Sequence, residues 1–487
     1  MLENIQHIIV LMLENRSFDS MLGKLYPKSD QFNGLSGEES NIFASKNGSK
    51  EIKVWNEYTP SGGQLGPMNV PTPDPGELFV DINEQLFGPG AAPPNATPTM
   101  SGFGQNYFQY SQPAQPDAIM HYYVPEQLPI ISWLARNYAV CDAWFASAPC
   151  QTWPNRFFLH AATAGGYENN EPTHFPYLMP TIFTRFNKLG KENGWKIYYH
   201  DFPQAVTLSD LWPHTDQFHH YDTFKQDAAN GTLPSYSFIE PRYFADQDFP
   251  NDQHPPHDVR FGEELIADVY NTLQASPNWK NTLLIITYDE HGGCYDHLPP
   301  PNATSPEPPR PNQVFAFDRY GVRVPTIVVS PYIRAGTVFC ASEGAQPFDH
   351  TSVIATLRKC FDLGGPLTER DRNAPDLSFL LTLPVDQLNI GVQLQMPTVE
   401  RPLDFLLAAR EDLMENLPDF QKSLHIAAAH LPDLSGLVSK MERTEKAQGA
   451  THQLVATGPI APPLHETLGQ ALPYIHQKLS AFLSPLS

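Results

Sequence analysis

Three short segments of this chain concentrate residue types that hold a cation or attack an electrophile. The first is Glu14-Asn15-Arg16-Ser17-Phe18-Asp19, and the second is Asp289-Glu290-His291-Gly292-Gly293-Cys294-Tyr295-Asp296-His297. A carboxylate beside an amide oxygen, or two adjacent carboxylates, offer hard oxygen ligands to a divalent cation. Adjacent acids also repel one another unless a cation or several donors lie between them, and Gly292-Gly293 permits a tight, close-approaching turn. For Glu14 and Asn15 the plainer reading is capping of a following helix. For the second segment, the density of acid–histidine pairs puts a metal or catalytic role ahead of an ordinary turn. The third segment, Ala148 to Arg156, contains Thr152-Trp153-Pro154-Asn155-Arg156. A hydroxyl followed by Asn and Arg in a Pro-constrained loop places a nucleophile beside phosphate-orienting donors. Taken alone it is weak, because a Thr in a turn is usually only that.

A histidine near a phosphate can protonate a leaving oxygen. His200, after Trp195–Tyr199, and His254, in His254-Pro255-Pro256-His257-Asp258, are the preferred pair. Spacing does not separate His254 from His257, and His219, His220 and His350 are further candidates.

These residues need a rigid frame. The apolar runs Ile8–Leu13, Leu283–Thr287 and Thr326–Ser330 have the length and composition of buried parallel strands. The first two run directly into Glu14-Asn15 and Asp289-Glu290. Ligands gather at the carboxyl ends of strands in open α/β sheets, so both acidic pairs are expected on one sheet edge. Helical spacing of apolar residues marks Gln127–Asn137, Gly262–Leu273 and Asp349–Phe361. Pro60–Thr99 lacks periodicity and reads as an insertion or cap loop, and Pro299–Pro311 is a second Pro-rich loop. Beyond about Pro384 the pattern turns to amphipathic helices, such as Pro402–Leu417 and His465–Leu483. This tail reads as a helical appendage or an oligomer contact, giving a catalytic domain over 1–383 and a mostly helical region over 384–487.

Composition narrows the function. Of 487 residues, 49 are Pro, 29 Phe and 20 Tyr, a mixture of ordered loops on a core and not of a disordered chain. The net charge of −22 argues against nucleic acid as a partner and against a basic membrane patch. Five cysteines without CxxC spacing speak against a disulfide framework or a Cys-rich zinc site; at most one pair would bridge in an oxidising compartment. The N-terminal apolar run is too short for a secretory core, and no stretch approaches the ~20 apolar residues of a membrane span. A cytoplasmic protein is expected, or a secreted or periplasmic one if a leader was removed.

Taken together, Glu14-Asn-Arg-Ser-Phe-Asp, Thr152-Trp-Pro-Asn-Arg, His254-Pro and Asp289-Glu-His-Gly-Gly-Cys-Tyr-Asp-His resemble the bacterial phosphoesterase family, which contains phospholipases C and acid phosphatases. The resemblance spans roughly residues 3 to 382, with Pro60–Thr99 poorly matched. It implies an alkaline-phosphatase-like three-layer α/β/α fold. It also implies one divalent cation held by Glu14, Asn15, Asp289 and Glu290, with Thr152 as nucleophile. Asn155 would orient a phosphoryl oxygen, and His200 and His254 would flank the phosphate. An upstream histidine of the acid phosphatases has only His121 as its nearest counterpart. The all-oxygen ligand set favours calcium, magnesium or manganese, with zinc as an alternative. The substrate expected is a phosphate ester, including a phospholipid head group, cut as a diester; a phosphomonoesterase and a non-catalytic binding protein are the alternatives. A Thr nucleophile, and not Cys or Ser ahead of Pro-x-Arg, argues against a sulfatase.

Overall fold

The apolar run His7–Leu13 lies inside an eight-stranded sheet. The strand order is Thr337–Phe339, Ala139–Cys141, Thr326–Val329, Thr282–Tyr288, His7–Leu13, Tyr236–Glu240, Trp195–Tyr199 and Phe218–His220. The computed structural model describes residues 2–45, 48–61, 64–90, 96–171, 174–191, 194–310, 313–432 and 465–484. Residues 433–464 of the expected C-terminal helical region therefore lie outside the described residues, as do Pro311 and parts of the 60–99 insertion.

Every residue of His7–Leu13, Tyr236–Glu240 and Thr282–Tyr288 is buried, so both faces of the sheet are covered. Pro129–Asn137 packs on Val259–Ala275, and Thr152–Ala161 packs on Thr351–Phe361. Val259–Ala275 buries Leu265, Ile266, Val269 and Leu273, the apolar stripe that marks it in the sequence. It also carries Glu263, a buried carboxylate that accepts from the amides of Ile130 (2.6 Å) and Ile131 (3.0 Å). Two orphan donors at the start of Pro129–Asn137 are satisfied in this way.

His7–Leu13 and Thr282–Tyr288 pair in parallel with Leu13 opposite Tyr288. Glu14 and Asp289 therefore leave adjacent strands at the same level, as the sequence leads one to expect. Thr326–Val329 departs from expectation: it is antiparallel to both of its neighbours. A fully apolar run reports burial on both faces but carries no mark of direction.

Two further expectations are corrected. The 60–99 insertion is not a plain loop: it contains the helix Phe79–Phe87, whose Ile82 and Leu86 pack with Phe103, Tyr107, Ile119 and Met120 in a core of their own. Nine residues bracketed by Pro and Gly are too few to declare a period. The expected helix Pro402–Leu417 divides into Leu403–Arg410 and a 3-10 turn at Met414–Asn416. Between them the backbone also bonds a distant segment: Leu468 N donates to Asp412 O and Met414 N to Glu466 O, each at 3.0 Å. Asp419–His430 and Leu468–Leu483 complete the described part of the helical C-terminal region. All five cysteines are free thiols, and Cys141, Cys150 and Cys294 are buried.

Candidate active site

Glu14, Asn15, Thr152, Asp289 and Glu290 are all fully buried and meet at the carboxyl ends of the two central strands. Asn15 adopts a left-handed backbone (φ 56°), uncommon outside glycine. In that conformation its N–H donates to Asp289 Oδ1 at 2.9 Å, while its side-chain Nδ2 donates to Glu77 Oε1 at 2.6 Å. Helix capping falls instead to Ser17, whose hydroxyl accepts from Ser20 N at 3.1 Å, so Glu14 and Asn15 are free of that duty. Gly292 (φ 60°) closes the turn behind Glu290. A Cβ there would lie 2.1 Å from the Asn15 carbonyl oxygen, so only glycine allows the two acidic segments to touch.

Thr152 is the first residue of the helix Thr152–Ala161. Its hydroxyl donates at 3.2 Å towards Glu14 Oε2 and stands equally 3.2 Å from Asn15 Oδ1. One turn on, Arg156 reaches the same place from below: it pairs with Glu14, lies 3.6 Å from Glu240 and 3.8 Å from Asp289, and is fully buried. Burial alone would lower its pKa, but Glu14, Asp289 and Glu240 outweigh it and raise it. Asn155 does not face the cluster. Its Oδ1 accepts from Ala148 N, and its Nδ2 donates to the carbonyls of Ala148, Cys150 and Gln151. Its amide is consumed in holding the loop that presents Thr152.

The histidines separate cleanly. His254 is buried, with Nε2 3.7 Å from Glu77 Oε1 and Nδ1 3.7 Å from Asp74 Oδ1. Its Nδ1 bonds Pro255 O at 2.5 Å. A carbonyl only accepts, so Nδ1 carries the proton and Nε2 is a bare lone pair. Burial, followed by His257, lowers its pKa to about 3, which keeps the ring neutral. His257 is held by Asp252 Oδ1 at 2.6 Å and turns away towards Gln421. His200 is not brought to the cluster: its Nδ1 bonds Glu240 O at 2.9 Å and its ring stacks on Tyr221 at 4.2 Å. His121 is likewise remote from it, wedged between the rings of Trp55 and Tyr123. His220 bonds the His200 carbonyl. His350 Nε2 donates to the Asp289 carbonyl at 2.6 Å and steadies that ligand strand from behind.

Asp74 and Glu77 escaped the sequence reading because they sit in the Pro-rich insertion, away from any periodic element. Structure delivers them through Arg16, which bonds the carbonyls of both Val70 and Gln253, and through Gln85, which links Gly76 O (2.7 Å) to His291 (2.8 Å).

Arg156 thus faces three buried carboxylates, Glu14, Glu240 and Asp289, while Glu77 and Glu290 lie beside them without its contact. Burial pushes Glu14 well above the usual carboxylate range, with Arg156 opposing and Asp289 adding to it. Glu77 is raised by burial and then Asp74, and Glu290 by burial and then Asp289. Asp289 Oδ2 and Glu290 Oε1 are buried without a hydrogen-bond partner. Orphaned oxygens in a surplus of negative charge fit a hard divalent cation, with Glu14, Asn15, Asp289 and Glu290 as its oxygen donors. A second acid–histidine group, Asp19, Asp296 and His297, has no such deficit: Arg323 bonds both carboxylates, at 3.0 and 2.9 Å, and His297 bonds Asp19 at 2.6 Å.

A cavity of about 700 Å³ opens on the Asp74 side. Tyr110, Phe249 and His257 line it together with Phe405, Leu417 and Gln421 of the C-terminal region. Residues of the helical C-terminal region thus form part of the cavity wall.

Fold and site together define an α/β protein with a carboxylate-rich centre built at strand ends around one buried hydroxyl. The chain belongs to the Phosphoesterase family, whose model matches residues 5–364. It is 38% identical over 446 residues to non-specific phospholipase C3 of Arabidopsis thaliana, covering 88% of this chain and 82% of that one. It is 41% identical over 383 residues to non-specific phospholipase C1 of the same plant, covering 75% and 69%. Phospholipase C B of Mycobacterium tuberculosis is 29% identical over 446 residues, with 77% of each chain covered. Plant relatives stand beside bacterial ones, so the bacterial label suggested by the motifs is too narrow. A solved structure of an alkaline phosphatase superfamily protein from Vibrio parahaemolyticus aligns with a TM-score of 0.31 at 10% identity, over 51% of this chain and 63% of that one. The protein is a phosphoric ester hydrolase.

Proposed function

We propose that the protein is a metal-dependent phosphodiesterase of the phospholipase C type with Thr152 as nucleophile. The observation that carries this reading is the Thr152 hydroxyl, 3.2 Å from both Glu14 and Asn15 and flanked by carboxylate oxygens that lack partners. A divalent cation bound there would favour the alkoxide and draw charge from the phosphoryl oxygens. Glu14 Oε2 takes up the Thr152 proton, and the oxygen attacks phosphorus to give a phosphothreonine that water then hydrolyses. Arg156 keeps Glu14 and Asp289 in place, and Asn155 fixes the loop ahead of the nucleophile. Neither the cytosolic nor the secreted setting bears on these steps.

The leaving oxygen departs towards His254 and the cavity and takes its proton from water there, since His254 Nε2 carries none. That cavity has room for a second ester substituent, which favours a diester over a monoester, and its aromatic residues suit a phospholipid head group. The catalytic unit then spans residues 1–383, with residues 384–487 walling the cavity.

The test is hydrolysis of p-nitrophenyl phosphorylcholine and p-nitrophenyl phosphate after EDTA treatment and after restoring calcium, magnesium, manganese or zinc. Metal-restored turnover with preference for the diester is the expected result. Full activity after chelation would overturn the metal, and preference for the monoester would make the protein a phosphatase.

A further inference from the structure

We infer that Asp74, Glu77 and His254 form a second divalent-cation site beside the first, and that it takes a first-row transition ion. The inference deepens the metal-dependent reading above and rests on it. His254 Nε2 and Asp74 Oδ1 are buried atoms without hydrogen-bond partners, and His254 is only 1% exposed. With Nδ1–H committed to Pro255, the Nε2 lone pair points at a carboxylate oxygen 3.7 Å away. A lone pair facing an anion is repulsive unless positive charge lies between them. Two ligands each about 2.1 Å from one ion stand about 3.4 Å apart at the tetrahedral angle and about 4.2 Å apart when opposite. His254 Nε2 and Glu77 Oε1, 3.7 Å apart, fall inside that range, and Asp74 completes a group whose ligand atoms lie within 4.8 Å of one another.

The Asp19, Asp296 and His297 group supplies an internal comparison. It has the same residue types, yet Arg323 supplies its positive charge. Among the described residues, Asp74, Glu77 and His254 have no such cation in hydrogen-bonding contact, and Glu77 receives the neutral amide of Asn15. One imidazole with two carboxylates selects manganese or zinc over calcium, in contrast to the all-oxygen set at Glu14, Asn15, Asp289 and Glu290. The Asn15–Glu77 hydrogen bond joins the two sites, so a cation held by Asp74, Glu77 and His254 would lie next to the first. Held there, it would supply positive charge to an ester oxygen leaving past His254.

Metal content is the test. The full chain is stripped with EDTA, equilibrated with excess Mn²⁺, freed of unbound ion and assayed by mass spectrometry of the metal. About two manganese ions per wild-type chain, and about one in Asp74→Asn and in His254→Gln, are expected. One ion in the wild type overturns the second site and leaves the first; none overturns both. Two ions in His254→Gln also overturns the assignment. Near-ultraviolet circular dichroism matching wild type shows that the variants are folded, and Asp74, 24% exposed, is the less disruptive of the two positions.

Discussion

Replacing Arg156 by Met removes the cation that contacts Glu14, Glu240 and Asp289 while nearly keeping its volume. The guanidinium pairs with Glu14, stands 3.6 Å from Glu240 and 3.8 Å from Asp289, and all of these groups are fully buried. Removing one partner of a buried ion pair costs about 3–5 kcal/mol, since the remaining charge has lost its solvation and its counter-charge together. With a urea dependence of at least about 3 kcal/mol per molar for a chain of this size, the unfolding midpoint of metal-free Arg156→Met should fall by roughly 1 M. A cation bound to Glu14 and Asp289 opposes the loss. At a thousand times its dissociation constant it contributes about 4 kcal/mol to either chain, so the deficit narrows by as much as the loss of Arg156 tightens its binding. The assay is urea denaturation followed by tryptophan fluorescence, with EDTA and with saturating Mn²⁺. A metal-free variant within about 1 kcal/mol of wild type would refute the view that Arg156 compensates these carboxylates. An equal deficit with and without metal would show that the two cations do not share them.

Thr152→Ala should lower kcat on the diester by about 10⁴-fold or more, roughly 5 kcal/mol, while Thr152→Ser stays within about tenfold of wild type. Acid-quenched wild type should carry phosphate on the peptide containing Thr152; phosphate elsewhere, or an active Ala variant, would remove the nucleophile. Glu263 is raised by burial to about 8 from the ordinary 4.5. Folding therefore favours its neutral form, and the stability it contributes is complete below about 4.5 and is lost as pH rises through about 8. Thermal unfolding of Glu263→Gln across that window should show a shallower decline with pH than wild type, and parallel curves would contradict the assignment.

Burial of the sheet and the meeting of the two acidic segments at its edge could be read from residues alone. A run such as Ile8–Leu13 has only one way to hide both faces, and Glu14 and Asp289 follow their strands directly, so sheet register decides where they meet. Thr152 was legible from its motif, and its hydroxyl does reach Glu14 and Asn15. What depends on long-range packing was not legible. The direction of Thr326–Val329 left no trace in an apolar run. His200 and His254 were equal candidates in the sequence, and only the third dimension sends one to Tyr221 and the other to Glu77. Asn155 carries a donor that suits a phosphate, yet the 148–151 loop claims it. Asp74 and Glu77 lie in an aperiodic, Pro-rich stretch, and the bonds that bring them to the centre come from Arg16 and Gln85, neither of which has a sequence pattern announcing its partner. Periodicity reports what a residue hides from water, and chain order places what immediately follows a strand; which polar groups meet across the fold is settled by tertiary packing alone.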